Sequence, residues 1–102
     1  MARLTSRAFS RSRRAKRALD SAQVLDDVVA NQLALVSRMP EDGRRRAADF
    51  LAELVMLAQH YRHYAAGWIT HKELEQRGFA TMRRLAAIRQ SRPFEAQFTE
   101  RD

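Results

Sequence analysis

The sequence predicts an all-α fold: a long antiparallel helical hairpin capped by two short helices, with a basic N-terminal arm. Three observations carry that prediction. From Pro40 to Ile69, Ala47, Phe50, Leu54, Leu57, Tyr61, Tyr64 and Trp68 recur at spacings of three and four, the repeat of one helix face. A second stretch, residues 21–39, has the same rhythm and leaves almost no chain for a connection before Pro40. Finally, 3 glycines and 2 prolines in 102 residues are too few for a loop-rich chain.

Residues 1–19 form the arm. Arg3, Arg7, Arg11, Arg13, Arg14, Lys16 and Arg17 fall in it with no acid, and its apolar residues are sparse. Seven like charges repel, so in isolation the arm is expected to be mostly disordered, turning helical on phosphates. A boundary at Asp20 rests on a capping-box pattern with Gln23, although a helix could equally continue backwards into the arm. Residues 20–93 are read as one helical domain and 94–102 as a C-terminal tail, in which Phe94 and Phe98 lie four apart.

Within that domain, Leu25, Val29, Leu33 and Val36 share a face that Val24, Val28, Leu35 and Met39 widen. Pro40 suits the first turn of the next helix, and Glu41 and Asp42 favour the positive end of its dipole. Thirty residues at about 1.5 Å each would make a rod of about 45 Å, longer than this domain needs for itself. A second apolar line, Leu51, Val55, Ala58, Ala65 and Ile69, makes the surface wider than a two-stranded seam requires. Phe50, Leu54, Leu57, Tyr61, Tyr64 and Trp68 are therefore the expected interface for a partner, through a homodimer or docking into a larger complex. Thr70 and Glu73 have the spacing of a capping box and predict a short helix to Arg77. Gly78 would end it, and a last helix would start near Ala80 or Thr81 and stop before Pro93.

The net charge of +7 lies wholly in residues 1–19, since residues 20–102 carry 12 basic and 12 acidic side chains. Arginine outnumbers lysine 17 to 2, and its planar fork suits phosphate contact. Such a cluster attracts polyanions. Arg44, Arg45 and Arg46 would extend it if the arm folds near the hairpin corner; otherwise they balance Glu41, Asp42 and Asp49 on a solvated turn. Residues 70–90 also outline a helix-turn-helix with Arg83 and Arg84 facing a DNA groove. Glu75 sits where close packing of such a pair wants a small residue.

The sequence lacks the marks of catalysis: no cysteine, no Gly-rich phosphate loop and no nucleophile elbow. His60, His63 and Glu53 share a helix face but lack zinc-protease spacing, so neither metal nor cofactor is expected. No apolar run suits a bilayer. The first residues look like an organellar presequence only in being rich in Arg, Ser and Ala. The expected function is a cytoplasmic, non-enzymatic nucleic-acid-binding accessory protein, a regulator or small subunit of a nucleoprotein complex. The alternatives are an inhibitor or adaptor that binds a protein through the central helix, and a helix-turn-helix regulator.

Overall fold

In a computed structural model the described backbone covers residues 2–90 and the described side chains residues 12–90; Met1 and residues 91–102, with the Phe94/Phe98 tail, lie outside them. Three α-helices are present, α1 (Ala2–Val36), α2 (Glu41–Ala65) and α3 (His71–Gln90), and no strand occurs among the described residues. The chain is all-α. Helix α2 is the centre: α1 and α3 each pack on it and barely touch each other.

Helix α1 is continuous from Ala2 through Asp20, with no break at the boundary read from the Asp20 and Gln23 pattern. Starting a helix is costly, but extending one is not. The second half of α1 is anchored through Leu25, Val29 and Val36, and residues 2–19 hold neither Gly nor Pro. Arg, Ala and Leu are strong helix formers. Each like-charge pair one turn apart opposes this by only about 0.2–0.5 kcal/mol. Among the described side chains the buried stripe of α1 begins at Ala18 and continues through Ala22 to Val36. Residues 12–14 are exposed, so the helix overhangs the bundle.

Val36 of α1, Leu51 and Leu54 of α2 and Leu85 of α3 form the core, flanked by Leu25, Val29, Met39, Ala47 and Phe50. Asp26 of α1 is bonded to Arg62 of α2. The chain turns between α1 and α2 through Arg38 N–H to Leu35 O and Met39 N–H to Val36 O, both 3.1 Å. Pro40 then precedes the first helical residue, and its carbonyl accepts from Arg44 N–H at 2.8 Å.

Helix α2 stops at Ala65, four residues before the predicted Ile69. Gly67, at φ +81°, makes the turn. Its N–H donates to Tyr64 O at 3.0 Å, while Trp68 N–H reaches back to His63 O at 2.9 Å, the paired bonds of a Schellman motif. The Trp68 ring lies 5.2 Å from that of His63, the side-chain contact that accompanies such an ending. Trp68 therefore leaves the apolar line on which its spacing placed it, and 74% of it is exposed.

The predicted cap of the next helix is present. Glu73 N–H donates to Thr70 Oγ1 at 3.1 Å and Thr70 N–H to Glu73 Oε1 at 3.0 Å. The Thr70 backbone bond, then the Thr70 side chain, holds the Glu73 carboxyl below its ordinary pKa. The pair of short helices expected over residues 70–92 is a single helix, α3, with no turn at Gly78. A mid-helix glycine costs about 1 kcal/mol, and the packing of Thr81 and Leu85 against α2 outweighs it. This corrects the helix-turn-helix expectation. Thr81, placed on a recognition helix by that reading, is fully buried.

Gly78 tests the correction by sign. A Cβ there would meet nothing within 4 Å, so Gly78→Ala is expected to stabilise the chain by about 0.5–1 kcal/mol. Thermal melting followed by circular dichroism should show a rise of a few degrees. A drop would mean a left-handed glycine and a turn at this position.

Candidate nucleic-acid interface

The described part of the basic segment meets the rest of the molecule at one place. Arg14, Arg17, Ala18 and Ser21 of α1 line a recess of about 330 Å³ with Tyr61 and Tyr64 of α2 and His71 and Leu74 of α3. The Tyr64 and His71 rings stand edge to face, 5.9 Å apart. Among the described residues no carboxylate lies within ion-pairing distance of Arg14 or Arg17. Arg13 and Lys16 are exposed beside them; the side chains of Arg3, Arg7 and Arg11 lie outside the described residues. Guanidinium groups next to aromatic edges suit a phosphodiester chain, because the cations meet phosphates while the rings offer faces to bases.

The other predicted basic residues are elsewhere. Arg44, Arg45 and Arg46 belong to the first turns of α2, about 25 Å along the helix from Tyr61 and Tyr64, and Arg45 pairs with Glu41 at 3.5 Å. They do not join the α1 cluster. Arg83 is exposed. Arg84 is committed to Glu53, Nε to Oε1 at 2.6 Å, and to Thr81 Oγ1 at 3.3 Å, so it does not stand free for a base edge. Comparison with protein families, with curated proteins and with solved structures finds no match to this chain.

The predicted interface line is divided by the fold. Leu54 is in the core, Phe50, Leu57, Tyr61 and Tyr64 are half-buried, and Trp68 is outside the line. The guanidinium of Arg89 sits 5.9 Å from the centre of the Phe50 ring. Sequence reasoning missed that Tyr61, Tyr64 and His71 stand beside Arg14 and Arg17. The available signal was Arg14, Ala18, Ser21 and Leu25 at spacings of three and four, which carries the apolar face of α1 back across Asp20.

His60 and His63 occupy the opposite flank of α2, with ring centres 6.5 Å apart. Glu53, their supposed companion as a metal ligand, is held by Arg84. No three His, Asp or Glu side chains converge as a metal set among the described residues. Arg77 Nη1 lies 3.4 Å from His60 Nδ1. Burial first, then the charges of Arg77, His63 and Arg84, lowers the His60 pKa, and Glu53 opposes them. With its folded pKa below the unfolded value, His60 takes up a proton later in the folded chain, so stability falls as pH drops through about 6.5. The melting temperature is expected to be lower at pH 5 than at pH 7, with a smaller difference in His60→Gln. An unchanged difference in that variant would remove His60 from the effect.

Among the described residues no helix is long and apolar enough to cross a membrane.

Proposed function

We propose that this chain is a non-catalytic nucleic-acid-binding accessory protein that grips backbone phosphates along α1. The observation that carries the reading is a helix whose first 19 residues hold seven cations and no acid, with Arg14 and Arg17 opening onto Tyr61, Tyr64 and His71. Positions 3, 7, 11, 14 and 17 follow at spacings of four, four, three and three, which a continuous helix puts on one line. A line of cations along a rod can lie against the line of phosphates of a nucleic-acid backbone and release its counterions. Contacts of this kind fix position and orientation without reading sequence.

In this reading α1 and α2 form an antiparallel hairpin that projects the basic end beyond the bundle, and α3 completes the recess. The chain would act in the cytoplasm as a regulator or as a small subunit of a nucleoprotein complex.

Fluorescence-anisotropy titration of single- and double-stranded DNA and RNA at several salt concentrations tests the proposal. Engagement of a duplex by all seven cations gives log K against log salt a slope of about −6, shallower for single strands. A flat response would refute the grip.

A further inference from the structure

Because α1 and α3 pack on α2 but barely on each other, a groove runs between them whose floor is the line Ala47, Phe50, Leu54, Leu57, Tyr61 and Tyr64. Three recesses follow one another along it: about 330 Å³ beside Tyr61 and Tyr64, about 400 Å³ beside Leu57, and about 470 Å³ over Ala47, Phe50 and Leu54. The floor is about 26 Å long, the length of a helix of about 17 residues. Val28 and Leu35 on the α1 wall and Met82 on the α3 wall are exposed along it. A three-helix arrangement with this open face is one helix short of a closed four-helix packing.

Charge selects the occupant. Arg14 and Arg17 line one end, Arg46 and Arg89 the other, and among the described residues none of the four has a carboxylate within ion-pairing distance. Glu75, the one acid on the lining, faces His71 at 3.3 Å. A second copy would set basic ends against basic ends whether the two-fold axis ran along the groove or across it. We infer that the groove receives an amphipathic helix of another protein, apolar along its middle at positions i, i+3, i+4 and i+7 and acidic at both ends. This surface shares the recess of Arg14, Arg17, Tyr61, Tyr64 and His71 with the proposed phosphate grip and extends beyond it over Leu57, Leu54, Phe50 and Ala47.

The test titrates the full chain with a fluorescein-labelled synthetic helix of about 18 residues carrying a leucine stripe and glutamates at each end. Two control peptides keep its length, one with the same composition scrambled and one with lysine for glutamate. The acidic amphipathic peptide should bind about tenfold or more tighter than either control. Val28→Ser/Met82→Ser, which withdraws two exposed apolar side chains, should weaken it about tenfold while leaving the circular dichroism spectrum and the nucleic-acid titration unchanged. Equal binding of the scrambled peptide would reduce the contact to charge and overturn the proposal. So would no binding, or a wild-type dimer in sedimentation equilibrium that the double variant dissociates.

Discussion

Ala58→Leu is expected to destabilise the chain by about 1–3 kcal/mol, the cost of overpacking a filled site. Ala58 is 1% exposed and Ala22 of α1 is completely covered. On α2, Ala58 lies one turn after Leu54, which shares the core with Val36 of α1, and one turn before Arg62, bonded to Asp26 of α1. It is thus bracketed by two contacts with α1 in a stretch where small residues let the helices approach. A leucine must push α1 away, and its displacement would disturb both brackets. For a domain of this size each kcal/mol corresponds to about 4–8 °C in melting temperature, so thermal melting resolves the effect easily. Ala52→Leu, on the same helix but exposed, serves as the control and should change little. Equal melting temperatures for the two variants would mean that α1 does not pack on α2 at Ala58.

The second large effect concerns binding. Glutamine in place of Arg13, Arg14, Lys16 and Arg17 should lower nucleic-acid affinity by roughly a thousandfold near physiological salt and flatten the salt slope from about −6 to about −3. Glutamine keeps the helix propensity of the cations it replaces and relieves their mutual repulsion, so the melting temperature should hold or rise. Deleting the first 19 residues would be a poorer experiment. It would remove Ala18, which is buried, and so confuse lost packing with lost charge. Unaltered affinity in the glutamine variant would take the proposed grip away from α1.

Folding and charge thus answer to different residues of one helix. The face of α1 through Ala18, Ala22, Leu25, Val29 and Val36 holds it to α2, while Arg13 and Lys16 stay on its exposed sides and Arg14 and Arg17, themselves exposed, border the recess at the end of that face. Changes to the first set should register in melting curves and changes to the second in titrations. That separation makes both predictions interpretable.

By itself the sequence determined what local chemistry determines: the all-α class, the segments around α2 and the second half of α1, and the cap at Thr70 and Glu73. Periodicity and hydrogen bonds between residues three or four apart do not depend on the rest of the fold. Tertiary structure decided the remainder. Residues 2–19 join α1 because the docked half of that helix has already met the cost of nucleation. Gly78 stays helical because Thr81 and Leu85 bury against α2, whereas Gly67 breaks the helix, and nothing in the identity of the two glycines separates them. Arg84 is bonded to Glu53, and Arg14 and Arg17 line a recess with Tyr61, Tyr64 and His71, because of how the three helices are set against one another. That setting follows from how Val36, Leu51, Leu54 and Leu85 fill a common core, a sum of many weak contacts between distant residues that no local pattern in the chain encodes.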